Sequence, residues 1–258
     1  MKLVILAGGY GSRLKDLTSS VPKPMLEIGE KPILWHIMKI YSHYGINDFI
    51  ICLGYKGNII RDYFLNYDNI NQDFTINLGS RSIAYHNLHN EKDWNVTLIE
   101  TGLDTLKGAR LKKIEKYLDE DVNLLTYGDG LANININQLI NYHKNNDKII
   151  TISGVRPPSR FGELKISEGG SLISFEEKMQ TSTGFINGGY MVFNKELLGY
   201  LTEDENCDLE YGTFEKISKK GKMGVFQHIG QWGCIDTERD LQSMNKMWKE
   251  GQAFWKVW

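Results

Sequence analysis

Long apolar runs are missing from this sequence of 258 residues. No stretch approaches the roughly eighteen consecutive apolar residues that a membrane-spanning helix requires. The opening KLVILAGGYG is too short and too interrupted by glycine for a secretory signal peptide. The sequence therefore predicts a cytoplasmic protein with no membrane as a partner.

Cysteine, proline and excess charge are also scarce. Cys52, Cys207 and Cys234 lie far apart and form no CxxC pair, which argues against a disulfide framework or a thiolate zinc site. The five prolines lie at positions 22, 24, 32, 157 and 158 and mark no flexible linker. Thirty basic and thirty-two acidic side chains give a net charge of −2, so no global field attracts nucleic acid, which we do not expect as a partner.

Short apolar runs alternate with amphipathic stretches as far as residue 155. KLVILAG, DFIICLG, WNVTLIETG, VNLLTYGDG and KIITISGV have the character of strands, and the segments between them that of helices. This alternation predicts an α/β fold with a doubly wound, mostly parallel, Rossmann-like sheet. A first helix is expected from Pro32 to about Gly45. Further helices are expected over 105–118, near 208–220 and from about 237.

Two regions depart from this alternation. Residues 73–90 contain two extended runs around Gly79 and Ser80, which predicts an inserted hairpin that serves as a lid or a subunit contact. The pieces GELKIS, SLISFEEK and GFINGGYMVFN predict a C-terminal layer that faces the substrate. We expect a single domain, with a core at 1–155 and this layer at 156–258.

A glycine loop, LAGGYGSRL, follows the first predicted strand. Gly8, Gly9 and Gly11 would let backbone N–H groups approach phosphate oxygens closely. The loop misses the dinucleotide fingerprint, because the third glycine would fall at Leu14 and the second strand, DFIICLG, ends without the acid that binds ribose. The chain also has no G-x-x-x-x-G-K-[ST] run. A dehydrogenase and a P-loop NTPase are therefore disfavoured.

Two cations accompany the loop. Arg13 lies within it, and Lys23 lies between two prolines nine positions past Leu14. Arg13 is either a phosphate-binding cation or a solvated charge on a tight turn, and the proline-flanked lysine favours the first interpretation.

The run LAGGYGSRL followed by PKPMLEIGEKPIL resembles the signature of the sugar-phosphate nucleotidylyltransferases. TGLDTLKGARL, TYGDG, RFGELKI, FINGGYMVF and FWKVW are similar to the branch that uses CTP and glucose 1-phosphate, so the resemblance covers nearly the entire chain. It implies transfer of a cytidylyl group from CTP to α-D-glucose 1-phosphate, which gives CDP-glucose and pyrophosphate for deoxysugar and lipopolysaccharide O-antigen synthesis. It also implies a homo-oligomer. A sister enzyme for UTP, dTTP or another sugar 1-phosphate and a non-catalytic nucleotide-sugar sensor remain alternatives.

The implied reaction needs no strong base. A phosphate monoester has its second pKa near about 6 and is already largely ionised at neutral pH. The site must instead align the substrates and neutralise their charges. The resemblance implies Lys23 and Arg13 as catalytic residues. It assigns Thr105 and Arg110 to nucleotide binding, for which the ordinary alternatives are a helix cap at Thr105 and a solvated helix face at Arg110. The implied nucleotide-binding residues are Leu6, Ala7, Gly8, Gly9, Gly11, Ser12, Arg13, Lys23, Thr105, Arg110 and Gly128.

Asp129 follows the apolar strand VNLLTY, at the edge where ligands of open α/β sheets gather. The residues alone leave it equally a metal carboxylate or a turn aspartate between two glycines. The resemblance favours the metal and adds Asp236 as the second carboxylate for Mg²⁺. Asp236 could instead cap the last helix, although Thr237 with Asp240 offers a competing capping box.

The resemblance places the sugar phosphate on Glu177 and Lys178, with Asn187 and Gly188 completing the pocket. From the residues alone, Glu177 and Lys178 would be a surface charge pair. Met179 stands where the family usually has proline, which leaves the geometry of this loop open.

Overall fold

The structure is a computed structural model, and it describes residues 1–14, 17–87, 89–158, 163–176 and 184–258. Its strands are β1 (Leu3–Leu6), β2 (Glu27–Ile28), β3 (Lys31–Pro32), β4 (Asp48–Leu53), β5 (Phe74–Asn77), β6 (Ser82–Tyr85), β7 (Asn95–Glu100), β8 (Val122–Tyr127), β9 (Gly130–Ala132), β10 (Ile150–Val155), β11 (Glu163–Ile166), β12 (Leu172–Glu176), β13 (Ile186–Asn194), β14 (Met223–His228) and β15 (Trp232–Cys234). Its α-helices are α1 (Ile33–His43), α2 (Gly57–Leu65), α3 (Tyr67–Asn71), α4 (Lys107–Lys113), α5 (Ile136–Lys144), α6 (Glu215–Lys219) and α7 (Glu238–Lys249).

Seven strands form a central sheet in the order β14-β10-β13-β8-β1-β4-β7. β1 pairs in parallel with β4 and β8, β4 with β7, and β10 with β14. β13 lies antiparallel between β8 and β10. The predicted doubly wound, mostly parallel fold is therefore confirmed, and the later part of the chain contributes β13 and β14 to this sheet.

Alternate residues of the central strands feed two apolar cores, one on each face of the sheet. On β1, Leu3 and Ile5 pack with α1 residues such as Ile37, whereas Val4 packs with Leu111 of α4. Each fully buried aliphatic side chain contributes about 1.5–3 kcal/mol relative to exposure. The sheet is thus held from both sides, and its carboxyl edge is left for loops.

The first helix ends where its sequence signals predict. α1 begins after Pro32, and Tyr44 is followed by Gly45 at φ +81°, a conformation that glycine adopts without strain. Most of the helix is buried, including Ile33, Ile37 and Tyr41 at the expected spacing.

Two other helices differ from expectation. α4 covers only Lys107–Lys113. Before it, Leu106 N donates to Glu205 O of a distant segment at 2.8 Å, and after it a 3-10 turn covers Glu115–Tyr117. The helix expected near 208–220 is an irregular turn over Leu209–Phe214, where Gly212 has φ +88°, followed by the short α6. Tertiary contacts and one glycine override the helical periodicity in both places.

The inserted hairpin is confirmed. β5 and β6 pair antiparallel, and every residue of the two strands is exposed. In the part of the chain that the structure describes, no helix is long and apolar enough to cross a bilayer.

Candidate active site

A cleft of about 690 Å³ opens at the carboxyl ends of β1 and β8. The glycine loop, the segment between β7 and α4, β13 and the segment after β15 supply its walls. Among the described residues predicted for the site, Gly188 alone is not part of the lining. The predicted residues in the lining are Leu6, Ala7, Gly8, Gly9, Gly11, Ser12, Arg13, Lys23, Thr105, Arg110, Gly128, Asp129, Asn187 and Asp236.

The glycine loop leaves β1 as a tight turn. Gly11 has φ +64°, and a Cβ at this position would lie 2.9 Å from Cγ2 of Thr18. Leu14 N donates to Gly11 O at 2.9 Å, and the Leu14 side chain is buried. The turn is therefore anchored at its far end, while Gly8 and Gly9 leave backbone facing the cleft.

Lys23 lies between two carboxylates. Its Nζ donates to Asp129 Oδ2 at 2.7 Å and to Asp236 Oδ1 at 2.9 Å. Arg13 Nη1 donates to the other oxygen of Asp236 at 2.6 Å. Four side chains from three distant parts of the chain thus form one cluster of two cations and two carboxylates.

Local structure explains how the two carboxylates meet. β9 begins directly after Asp129 and pairs antiparallel with β15, which ends two residues before Asp236. Thr237 and Asp240 form the capping box of α7, so the Asp236 carboxylate is not needed as the cap. The capping interpretation of Asp236 is therefore wrong, and its carboxylate lines the cleft.

The cluster fixes the charge of its own members. Burial alone would lower the pKa of Lys23, but the charges and hydrogen bonds of Asp129 and Asp236 outweigh it and raise that pKa. Burial would raise the pKa of Asp236, but the Lys23 and Arg13 charges hold it below the usual value. Lys23 is therefore a cation and Asp236 an anion at neutral pH.

The carboxylates of Asp129 and Asp236 fit a hard divalent cation whose other ligands come from the substrate and water. Asp129 and Asp236 point carboxylate oxygens at one common position, now taken by an ammonium. The described ranges contain no cluster of three or more histidine, cysteine, aspartate or glutamate side chains suited to a metal. Two carboxylates completed by phosphate oxygens and water are typical of Mg²⁺ sites.

Arg110 is buried rather than solvated, with 4% of its surface exposed. Its Nη1 donates to Leu53 O, Thr101 Oγ1 and Gly102 O, and its Nη2 donates to Gly8 O and Leu103 O. These bonds of 2.7–3.1 Å join the glycine loop to the loop that precedes α4. Arg110 therefore holds this side of the cleft together.

Thr105 is buried but does not cap α4, whose cap is Leu106. Thr105 Oγ1 instead accepts a hydrogen bond from Lys113 Nζ at 3.2 Å. The capping interpretation of Thr105 is therefore wrong, and its place in the cleft wall agrees with the alternative.

β13 supplies the opposite wall. Asn187 Nδ2 donates to Tyr127 Oη at 3.2 Å. Gly188 packs so tightly that a Cβ would lie 2.4 Å from Cγ1 of Val155, and its carbonyl accepts from Trp232 Nε1 at 2.8 Å. Gly188 therefore packs behind this wall and is not itself part of the cleft lining. Glu177 and Lys178 lie outside the described residues.

Further residues line the cleft that sequence reasoning did not assign. Leu103, Asp104, Leu106 and Lys107 belong to the quoted segment TGLDTLKGARL, so the motif itself was a signal for them. The others are Tyr10, Pro24, Tyr127, Glu210, Trp232 and Cys234. Burial and the neighbouring Asp236 raise the pKa of Cys234 to about 12, which keeps this thiol protonated and poorly nucleophilic.

The sheet, the glycine loop and the lysine between two carboxylates define a nucleotide-handling α/β protein, and comparison with known proteins agrees. The chain belongs to the nucleotidyl transferase family, whose model matches residues 2–250.

Individual proteins that resemble this chain have more specific names than the family. The chain is 43% identical over 258 residues to the probable glucose-1-phosphate cytidylyltransferase of Bacillus subtilis, across the whole length of both. It is also 43% identical over 259 residues to the glucose-1-phosphate cytidylyltransferase of Salmonella typhimurium, again across both whole chains. The crystal structure of HddC from Yersinia pseudotuberculosis matches with a TM-score of 0.69 at 25% identity, and the match covers 96% of this chain and 99% of that one.

Proposed function

We propose that this chain transfers a cytidylyl group from CTP to α-D-glucose 1-phosphate and releases pyrophosphate and CDP-glucose. The observation that carries the proposal is Lys23 held between Asp129 and Asp236 beside the glycine loop. Full-length likeness to two proteins named glucose-1-phosphate cytidylyltransferase supports the choice of base and sugar. A matrix of nucleoside triphosphates against sugar 1-phosphates, read by pyrophosphate release, tests it. Preference for UTP, dTTP or a different sugar would contradict it, and no release with any pair would favour a sensor.

The reaction joins an oxygen of the sugar phosphate to the α-phosphorus of CTP, while the bond from that phosphorus to the pyrophosphate oxygen breaks. The attacking oxygen needs no base, because the second pKa of a phosphate monoester is near about 6. The chain must hold both anions in line and offset their charge. Lys23 and Arg13 supply the cations, and the raised pKa of Lys23 keeps its ammonium charged.

We propose Asp129 and Asp236 as the carboxylates that hold Mg²⁺ in the working enzyme. When bound there with substrate, the ion acts as a Lewis acid that stabilises negative charge on the phosphate oxygens. The convergence of one oxygen from each carboxylate on a single position, the Lys23 ammonium, supports this assignment.

The nucleotide side of the cleft consists of the glycine loop and the Thr105 segment that Arg110 ties to it. The acceptor side consists of β13, with Asn187 and Gly188. Glu177 and Lys178 as the sugar-phosphate pair stay a prediction. Lys178→Met should raise KM for glucose 1-phosphate far more than KM for CTP, and equal small changes would remove Lys178 from the site.

We also propose a homo-oligomer in which the exposed hairpin contacts another copy. Phe74, Ile76, Leu78, Ile83 and Tyr85 expose between 40% and 83% of their surface, and such a patch is typical of subunit contacts. Light scattering of the wild type and of the Ile76→Ser variant tests this proposal, and a monomeric wild type would contradict it.

The division into a core at 1–155 and a sugar-phosphate-binding layer at 156–258 stays a prediction. A cytoplasmic place of action and a role in deoxysugar and lipopolysaccharide O-antigen synthesis stay predictions as well.

A further inference from the structure

Four side chains meet at one wall of the cleft. Tyr127 Oη donates to Glu210 Oε1 at 2.5 Å, and Asn187 Nδ2 donates to Tyr127 Oη at 3.2 Å. The Lys107 ammonium pairs with Glu210 Oε2 and lies 5.3 Å from the centre of the Tyr127 ring. Glu210 is therefore the centre of this group.

The backbone that carries Glu210 is fixed. Asp208 Oδ1 accepts from the backbone N–H of Glu210 at 2.7 Å and of Tyr211 at 3.2 Å. Leu209 is fully buried, and Gly212 at φ +88° turns the chain away before α6. Because backbone and carboxylate are both held, Glu210 loses little conformational freedom when it binds a ligand.

Sheet order places Tyr127 and Asn187 on the acceptor side, and Lys107 reaches Glu210 from α4 across the cleft. The glycine loop follows β1, and the loop joined to it follows β7, beyond β4. Tyr127 ends β8, and Asn187 lies on β13, the neighbour of β8 away from β1. The proposed function places the reacting phosphates at Lys23 and Asp129, and Glu210 is bonded to Tyr127, two residues before Asp129 at the end of β8.

A carboxylate here needs a chemical reason, because both substrates are anions. Lys107 cancels the Glu210 charge, so the pair does not repel phosphate. A carboxylate has about four acceptor positions, and Tyr127 and Lys107 take one each. The Glu210 side chain is 31% exposed, so the remaining positions are open to hydrogen-bond donors in the cleft.

Neutral hydroxyl groups can donate hydrogen bonds to these open acceptor positions of Glu210. We propose that Glu210, oriented by Tyr127 and neutralised by Lys107, accepts hydrogen bonds from ring hydroxyls of the hexose and thereby selects the sugar 1-phosphate. This inference rests on the proposed function and names a specificity-determining residue for it.

The test is Glu210→Gln in the full chain, with Glu215→Gln as the matched control. Glu215 lies five residues later and is exposed. The amide keeps the size of Glu210 but loses charge and acceptor capacity. Loss of a charge-assisted hydrogen bond should raise KM for glucose 1-phosphate by roughly ten- to a hundredfold. KM for CTP should stay unchanged, and the control should behave as wild type.

Deoxyglucose 1-phosphates that lack one ring hydroxyl each make the test specific. The analogue without the hydroxyl that Glu210 binds should be poor for the wild type and no poorer for Glu210→Gln. Equal effects of the substitution on every analogue, or on both substrates, would overturn the inference. A wild type that releases no pyrophosphate from CTP and glucose 1-phosphate would instead overturn the proposed function.

Tyr127→Phe keeps the test decisive if Glu210→Gln does not fold. It removes the hydroxyl that orients Glu210 and should raise the acceptor KM in the same direction, with the melting temperature measured alongside. An unchanged acceptor KM in a folded Tyr127→Phe variant would contradict the inference.

Discussion

Arg110→Met should destabilise the protein and loosen the nucleotide side of the cleft. Of the five acceptors that Arg110 binds, Leu53 O and Gly8 O have other donors, namely Thr101 N–H and Tyr55 N–H. Among the described residues, Gly102 O and Leu103 O receive their hydrogen bonds from Arg110 alone. An acceptor left without a partner costs about 1–3 kcal/mol. Two such carbonyls predict a loss of about 2–6 kcal/mol in the free energy of unfolding.

Two glycines beside Arg110 allow a more specific test of the Arg110→Met prediction. A Cβ at Gly8 would lie 2.2 Å from Arg110 Nη1, and a Cβ at Gly54 would lie 2.6 Å from the same atom. Gly8→Ala should therefore destabilise the wild type more than it destabilises Arg110→Met, in which the longer guanidinium is gone. A double-mutant cycle of the two substitutions measures this coupling.

Urea unfolding gives the stabilities, and KM for CTP and glucose 1-phosphate gives the effect on each side of the cleft. Arg239→Lys, an exposed position on α7, is the control. Additive effects of Gly8→Ala and Arg110→Met, or an Arg110→Met variant as stable as wild type, would refute the reasoning.

Three further predictions concern single residues. Asp129→Asn should abolish magnesium-dependent turnover while thermal melting stays intact, because the amide loses the charge that holds a hard cation; turnover like wild type at low magnesium would remove Asp129 from the site. Lys23→Ala should lower kcat by at least about a hundredfold, and an effect confined to stability would contradict this. Burial lowers the pKa of His36 to about 4. Below about pH 6.5, His36 binds a proton in the unfolded chain but stays neutral in the folded chain. The free energy of unfolding should therefore fall by about 3 kcal/mol between pH 6.5 and pH 4. Urea unfolding of wild type and His36→Gln checks this, and equal pH slopes would contradict it.

The fold was largely predictable where periodicity and end signals agree. α1 combines a helical apolar face with Pro32 before it and Gly45 after it, and the structure places it there. α4 and the turn over Leu209–Phe214 were not predictable, because contacts between them shorten both. Gly108, for example, lies so close to the residues just before this turn that a Cβ would be 2.8 Å from Cys207 O.

The lining of the cleft was predictable where its residues form contiguous motifs. The glycine loop, Lys23 and Asp129 belong to runs whose spacing has a physical meaning. Glu210 has no such signal, because its partners Tyr127 and Lys107 are 83 and 103 residues away in the sequence. The role of Arg110 was also hidden, since an arginine in a helical pattern gives no sign that it is buried.

The most direct test follows the phosphorus atoms of CTP through the reaction. With glucose 1-phosphate and magnesium, label at the α-phosphorus should appear in CDP-glucose, and label at the γ-phosphorus in pyrophosphate. Lys23→Ala should slow both transfers together. Release of the γ-label as inorganic phosphate, or an α-label that stays in CMP without CDP-glucose, would contradict the proposed nucleotidyl transfer.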